Sequence, residues 1–180
     1  MFKLINGGEK LPTRATRFSA GFDVYSREDK VIGAGCTELI GLGIALDDDF
    51  VTYEIAGVNV DAGGRVTAGD SDKANEYLKS HYFALHIRSS LRAKGLTSLG
   101  TGIVDIDYKD EIKMVIHNPI ARLVNFQDGY TEASGTSDIL AQTSIGYQIN
   151  KGDKIGQLIQ CRHEGWLLPS EYMKDEEREK

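Results

Sequence analysis

Cysteine, proline and tryptophan are scarce in this 180-residue chain, which contains 2, 3 and 1 of them. Two cysteines, Cys36 and Cys161, cannot form a disulfide framework, and we expect both to be buried thiols of a protein in a reducing cytoplasm. No apolar run approaches the roughly 20 residues of a membrane span, and the first residues lack the apolar core of a signal peptide. The sequence therefore predicts a cytoplasmic protein.

Positive charge is also in short supply, because 21 basic residues face 27 acidic ones and the net charge is −6. This balance argues against a general nucleic-acid binder and against a membrane-surface protein. An anionic substrate would need a local group of cations and backbone donors. The remaining composition, 41% hydrophobic and 27% charged, is that of an ordinary globular protein, and the length suits one domain spanning 1–180.

Short β-type runs, separated by glycine and Asp/Asn turns, dominate the chain and predict an all-β sandwich or barrel. They cover 30–32, 39–46, 51–58, 82–87, 111–117 and 155–160. Two segments have helical character: 70–78 begins with cap-type residues, and 89–94 ends at Gly95. Two long polar segments, 60–79 and 124–147, are expected to be insertions at the surface.

Residues 102–108 carry the strongest chemical signal. Aliphatic and acidic residues alternate there with the period of a half-buried strand, and Tyr108 closes the run before a turn. A carboxylate at a strand end, such as Asp105, can take a proton from water beside a bound planar ring. The alternative is an ordinary solvated strand edge, because short motifs of this kind are common.

Three further stretches accompany this run: AGFDVYS at 20–26, RSSL at 88–91 followed by KGL at 94–96, and GDKIGQLI at 152–159. In this order the four stretches resemble motifs one to four of the trimeric dUTPases, which split dUTP into dUMP and pyrophosphate. The resemblance runs from about Phe18 to Ile159. It implies a distorted jelly roll or β-barrel with one short helix after the second motif, assembled as a homotrimer.

The resemblance assigns roles around the third motif. Asp105 would activate the water that attacks the α-phosphate. Arg88 would either clamp a phosphate or pair with an acid such as Asp105, and the resemblance favours the second role. Tyr108 would stack against the deoxyribose and exclude a 2′-hydroxyl. Backbone groups from about Leu99 to Ile103, with Gly102 among them, would read uracil. In the homotrimer this hairpin would come from one chain and motifs one, two and four from its neighbour.

The phosphate donors can be argued from the residues as well. Ser89 and Ser90 stand where a helix is predicted to begin, so that hydroxyl and N–H donors are available to a phosphate. The alternative is that Ser89 only caps the helix. Gln157 is a polar residue within an apolar strand, and its amide can donate to a phosphate oxygen. Its alternative is the outward face of an edge strand.

The metal would leave little trace in the sequence, because Mg²⁺ keeps waters and binds mainly to substrate phosphates. Asp23 is expected to orient a metal-bound water, or else to brace its own turn.

Gly152 and Asp153 are expected to form a hairpin turn. The four histidines lack metal-ligand spacing, which favours structural or surface roles for them.

The chain departs from the family pattern in a few places. Ile87 stands where a proline usually precedes the arginine, and Ser90 replaces a glycine. The segment 167–180 lacks the glycine-rich arm that usually closes over the triphosphate. The segment 124–147 resembles, by position, an extra segment of some phage-encoded dUTPases, which implies a host-cytoplasm location and a host protein partner for this segment.

Two rival functions remain. The dCTP deaminases share the trimeric architecture, but they need a glutamate where this chain has Val115, three residues before Asn118. A valine cannot move protons, so deamination is disfavoured. The second rival is a weakly catalytic regulator that senses dUTP and binds a protein. The set of five matching site residues favours hydrolysis, because a pure binder would not need the carboxylate of Asp105.

Overall fold

The computed structural model describes residues 1–47, 49–59, 65–100, 102–119 and 146–164. This part of the chain is built mainly from short strands joined by tight turns. The strands are β1 (Phe2–Leu4), β2 (Phe22–Tyr25), β3 (Lys30–Ile32), β4 (Thr37–Gly41), β5 (Ile44–Leu46), β6 (His81–Ile87), β7 (Gly102–Asp105), β8 (Lys113–His117), β9 (Tyr147–Ile149) and β10 (Lys154–Arg162). The helices are a π-helix (Phe50–Ile55), α1 (Ser71–Ser80) and α2 (Ser89–Ala93).

The strands pair only in antiparallel fashion, in one four-stranded sheet and three two-stranded ladders. The four-stranded sheet has the order β2-β10-β6-β7, and the ladders are β1-β5, β3-β9 and β4-β8. All-β architecture, as the sequence predicts, is therefore confirmed for the described residues.

The core lies against the inner face of the four-stranded sheet. Phe83, Leu85 and Ile87 of β6 are 1, 5 and 4% exposed and point inward. They meet aliphatic residues of the ladders, including Ile40 and Ile116, which are both fully buried. Because side chains alternate along a strand, the residues between them on β6 must point outward.

The outer face of the same sheet carries three rows of side chains, which the strand register defines. In the first row, Asp23, Gln157 and His86 stand opposite one another on β2, β10 and β6. The second row contains Ile159, Ala84 and Ile103, and the third contains Cys161, Tyr82 and Asp105. The first row and the third row contain residues that the sequence assigns to a site.

Most of the predicted strands are confirmed with small changes at their ends. The run at 39–46 is divided between β4 and β5, because the chain turns at Gly43, whose φ of 65° suits a residue without a side chain. The run at 111–117 begins two residues late, with β8 at Lys113. The predicted hairpin at Gly152 is a tight turn instead, since β9 and β10 belong to different sheets.

The predicted strand at 51–58 is wrong, because the chain forms the π-helix there. Its first residue, Phe50, is buried and packs edge-on against Tyr77 of α1, with ring centroids 5.7 Å apart. The Ala56 N–H donates to the carbonyl of Val51, five residues earlier. A short apolar run fits a strand and a helix equally well, and contact with α1 selects the helix here.

Part of the predicted insertion at 60–79 is helical, since its residues 71–79 belong to α1. Asp70 caps this helix, its side chain accepting from the Lys73 N–H at 3.0 Å. The structure thus has a ten-residue α-helix in addition to the short helix of the second motif. Residues 60–64, almost all of the predicted insertion at 124–147, and the tail 167–180 lie outside the described residues.

The cysteines are free thiols, but the prediction that both are buried is wrong. Cys36 is exposed in the turn before β4, and Cys161 is half-buried on the outer face of β10. Within the described ranges, no helix has the length and apolar character needed to cross a membrane.

Candidate functional site

An open cleft of about 500 Å³ lies at one end of the outer face of the four-stranded sheet. It brings together four residues that the sequence assigns to the site, although they come from distant parts of the chain. These are Asp23 from β2, Arg88 and Ser89 from the start of α2, and Gln157 from β10.

Asp23 is at the centre of the polar contacts in this cleft. Its carboxylate accepts from Lys154 Nζ at 2.9 Å and from Gln157 Nε2 at 3.2 Å, and the residue is only 5% exposed. The hydrogen bond from Lys154 holds the pKa of Asp23 below its ordinary value. The carboxylate therefore stays ionised and holds the amide of Gln157 in place across the two strands.

Gln157 lies on a central strand, since β10 is flanked by β2 and β6. An outward position on an edge strand is therefore not the explanation for this glutamine. The neighbouring Gly156 allows the close strand packing, because a Cβ there would lie 2.7 Å from the carbonyl oxygen of His86. One N–H of the Gln157 amide binds Asp23, and the second remains for a ligand.

The start of α2 presents donors to the cleft. Arg88 is the N-cap residue, with extended backbone, and its side chain makes no capping hydrogen bond. Ser89 is the first helical residue, so the alternative that it caps the helix does not hold. Ser90 faces a neighbouring cleft of about 180 Å³, which also borders Lys94 and Tyr147. Of the two serines, Ser89 is the one that lines the main cleft.

The cleft is also lined by three polar residues that the sequence does not predict to be part of the site: Lys154, His86 and Arg92. Strand alternation could have indicated His86, because it stands two residues before Arg88 on the same face of β6. Helical spacing could have indicated Arg92, three residues after Ser89. Both signals require the register of β6 and the start of α2 to be known first.

Asp105 and Tyr108 lie on a tight turn at the end of β7. The Tyr108 N–H donates to the Asp105 carbonyl at 3.1 Å, and the Tyr108 hydroxyl donates to the Glu111 carbonyl at 3.4 Å. The Tyr108 side chain remains 38% exposed, and the residue Asp105 is exposed as well. The turn therefore presents a carboxylate and an aromatic ring to the solvent.

An ion pair with a buried carboxylate anchors this turn to the rest of the molecule. Arg27 Nε lies 2.5 Å from Glu111 Oε1, and the same carboxylate accepts from the Gly43 N–H at 2.9 Å and from Asn6 Nδ2 at 3.2 Å. Burial raises the pKa of Glu111, but these hydrogen bonds outweigh it and hold the pKa below its ordinary value. Glu111 thus fixes the turn through its backbone and its side chain together.

A small cavity of about 100 Å³ is bordered by the start of β7, by β8 and by residues 98–100. Leu99 and Gly102, which the sequence assigns to uracil recognition, line this cavity together with Leu85. Ile103 points to the opposite, outer face of the sheet and is 59% exposed. The predicted nucleobase segment therefore divides between a cavity and an exposed apolar surface.

Asp105 does not reach the cleft of its own chain. Its partner on β6 is Tyr82, four residues before His86 and six before Arg88. At ~3.3 Å per residue, the rows of Asp105 and His86 are about 13 Å apart along the strand. A general base must come within about 3 Å of the proton it accepts, so a single chain contains the phosphate donors and the carboxylate at separate places.

The residues of the cleft fit a metal ion that a ligand brings with it. Over the described residues there is no group of three or more His, Cys, Asp or Glu side chains that could hold a metal. Asp23, which lines the cleft, already has both carboxylate oxygens engaged by Lys154 and Gln157. This donor set would suit Mg²⁺ held mainly by phosphate oxygens and water.

No family model matches the chain, whereas individual proteins do. The deoxyuridine 5′-triphosphate nucleotidohydrolase of Debaryomyces hansenii is 30% identical over 149 residues, which are 83% of this chain and 61% of that protein. The protein of the same name from Nautilia profundicola is 31% identical over 118 residues, 64% of this chain and 63% of that one. The chain spans about three fifths of the length of the curated relatives it matches.

Solved structures share the fold. A dUTPase of Staphylococcus bacteriophage 80alpha with dUpNHpp matches with a TM-score of 0.60 at 17% identity, covering 94% of this chain and 93% of that one. A dUTPase from phage phi11 of S. aureus, described with a structural Mg(II) ion, matches with a TM-score of 0.59 at 20% identity, covering 94% of each chain. The predicted fold class is thereby confirmed.

Proposed function

We propose that this chain is a dUTPase and hydrolyses dUTP to dUMP and pyrophosphate in the presence of Mg²⁺, as its similarity to the curated relatives and to the solved structures supports. The observation that carries the proposal is the cleft in which Arg88, Ser89 and Gln157 converge from separate elements. Hydroxyl, amide and guanidinium donors are the groups that bind phosphate oxygens in proteins. Cations at this one place fit an anionic substrate, although the whole chain carries a net charge of −6.

The active site is composite, with a second copy of the chain supplying the base. Asp105 is too far from the cleft of its own chain to serve it, as the strand register requires. On the outer face of the sheet, the apolar side chain of Ile103 lies in the row next to Asp105 and is 59% exposed. Apolar surface of this kind favours contact with another chain, and a cyclic homotrimer would bring one hairpin to each cleft.

In this arrangement the residues divide phosphate binding, proton transfer and recognition of the nucleoside among them. Ser89 and Gln157 hold the phosphates, and Arg88 reaches the phosphates or the partner's carboxylate. Asp105 of the neighbouring copy accepts the proton of the water that attacks the α-phosphate. Tyr108 stacks on the sugar, while the backbone around Gly102 reads the base. The anchoring of the turn by Glu111 supports these roles, because a general base acts only from a fixed position.

Mg²⁺ supplies neutralisation of the charge on the phosphates when it is bound. Asp23 contributes a fixed negative charge to the cleft and keeps Lys154 and Gln157 in place. The contact of 124–147 with a host protein, the regulatory role and the host-cytoplasm location remain predictions.

The proposal is tested by measuring pyrophosphate release and the nucleotide products from dUTP, dCTP, dTTP and UTP with Mg²⁺. Turnover of dUTP with little turnover of the other three nucleotides is expected. Conversion of dCTP to a uracil nucleotide would indicate the deaminase instead. Tight dUTP binding without turnover would contradict hydrolysis and favour the regulator.

A further inference from the structure

Two arginines of the cleft lack the partners that other basic residues have. Within the described ranges, the guanidinium groups of Arg88 and Arg92 form no ion pair and no side-chain hydrogen bond. In contrast, Arg27 pairs with Glu111 and Arg162 pairs with Glu76. Both of these unpaired arginines line the cleft, so their donors are available to a ligand there.

The position of Arg92 is set by the first turn of α2. Its N–H donates to the Arg88 carbonyl at 3.2 Å, which places the two arginines one turn apart. Like charges at this spacing repel each other and destabilise a helix. An anion in the cleft between them would relieve that repulsion. Ser89, three residues before Arg92, lines the same cleft.

His86 adds a further donor on the opposite side of Arg88. It stands two residues before Arg88 on the outer face of β6, about 7 Å along the strand. It is also directly opposite Gln157 on β10, a distance at which neighbouring side chains touch. The imidazole donates one hydrogen bond when neutral and two when protonated. His86 and Arg92 therefore line the same cleft as the predicted phosphate donors, but neither is one of those predicted donors.

We infer that Arg92 and His86 bind the terminal phosphate of the nucleotide, so that the cleft selects triphosphates over monophosphates. The inference rests on the proposed function and deepens it, because it assigns the recognition of phosphate-chain length to two named residues. The terminal phosphate carries the most negative charge of the chain and gains most from an unpaired guanidinium. Ser89 and Gln157, as neutral donors, suit the phosphates nearer the sugar.

The test compares the binding of dUMP and of a non-hydrolysable α,β-imido analogue of dUTP by calorimetry at physiological salt. Arg92→Ala is expected to weaken binding of the triphosphate analogue about tenfold or more, which is the loss of one charge-assisted contact. Its dUMP affinity should change less than about twofold. Arg92→Lys should recover part of the loss, since it keeps the charge but not the planar fork.

His86 is tested in the same way. His86→Ala should weaken the triphosphate analogue several-fold, and His86→Gln should recover part of that loss because it keeps an N–H donor. Arg162→Ala is the matched control, since it removes an exposed arginine that pairs with Glu76 and does not line the cleft. It should leave the binding of both nucleotides unchanged. Thermal unfolding of every variant shows whether the fold is intact.

Failure of the inference and failure of the proposed function give different results. If Arg92→Ala weakens both nucleotides equally, or neither of them, the assignment of Arg92 to the terminal phosphate is wrong, even when the wild-type protein hydrolyses dUTP. If the wild-type protein binds the analogue in this phosphate-dependent way but releases no pyrophosphate from dUTP, the inference stands and hydrolysis does not.

Discussion

Arg27 and Arg88 each follow a strand of the four-stranded sheet, but their surroundings differ. Arg27 follows β2 and pairs with the buried carboxylate of Glu111 at 2.5 Å, while Gly43 and Asn6 satisfy the rest of that carboxylate. Arg88 follows β6 and forms no ion pair or side-chain hydrogen bond with the described residues. Arg27 therefore has its ion-pair partner within the fold, whereas the guanidinium of Arg88 is available for a ligand.

This difference indicates which polar groups serve stability and which serve function. A buried charge without a partner destabilises a protein, so a satisfied pair such as Arg27 and Glu111 fits a structural anchor. An exposed arginine left unpaired at a cleft costs little in water and gains strongly when an anion binds. Substitutions at the two places should therefore have opposite effects on stability and activity.

The largest effect is expected at Asp105, on the turn that the Glu111 cluster anchors. Asp105→Asn should lower kcat for dUTP by about two orders of magnitude or more, as expected for loss of a general base. Nucleotide binding should stay nearly the same, because the carboxylate is not a phosphate donor. Steady-state kinetics and calorimetry measure the two quantities, and equal turnover in variant and wild type would remove Asp105 from this role.

Arg88→Ala should separate function from stability in the cleft. We expect a loss of about tenfold to a hundredfold in kcat/KM for dUTP, since one guanidinium contact is removed. The free energy of unfolding should change by less than about 0.5 kcal/mol, because no side-chain partner is lost. Urea denaturation measures the stability. A drop of several kcal/mol in this variant would mean that Arg88 is structural.

Glu111→Gln should have the reverse result. We expect the free energy of unfolding to fall by about 2 kcal/mol at neutral pH, because Arg27 loses its charged partner but is partly exposed. The pKa of Glu111 is lower in the folded chain than its ordinary value of 4.5. Its stabilisation is therefore present above that pH and is lost as the pH falls through the folded-state value. The difference in the free energy of unfolding between variant and wild type, measured by urea denaturation, should therefore become smaller below pH 4.5. A difference that does not change with pH would contradict this explanation.

The smallest effect is expected at Arg162, which forms an ion pair with Glu76 on the surface. The two side chains are 60 and 63% exposed, and pairs of this kind contribute about 0–1 kcal/mol. Arg162→Ala should therefore change the stability by less than about 1 kcal/mol and leave the kinetics unchanged. A loss of stability comparable to that of Glu111→Gln would show that the exposure of an ion pair does not determine its contribution to stability.

Much of the fold could be predicted from periodicity alone. The predicted run at 30–32 coincides with β3, and the run at 82–87 differs from β6 by one residue. The π-helix at Phe50–Ile55 could not be predicted, because its helical form depends on packing against Tyr77, which is distant in the sequence. Local patterns identify elements well when their neighbours do not decide the conformation.

The site was predictable in its residue types but not in its arrangement. The motifs identified Asp23, Ser89 and Gln157, which line one cleft. They also included Ser90, which faces a different cleft, because the motif does not specify the direction of a side chain. His86 and Arg92 belong to the cleft through strand register and helix phase, which no single motif contains.

The composite site is tested most directly by mixing two inactive variants. Asp105→Asn keeps the cleft and lacks the base, whereas the double variant Arg88→Ala, Gln157→Ala keeps the base and lacks the cleft. Unfolded together in equal amounts and refolded, they should form mixed oligomers in which about one quarter of the sites combine an intact cleft with an intact base. The account predicts dUTP turnover near a quarter of the wild-type rate. Turnover no higher than the mean of the two variants refolded separately would contradict it.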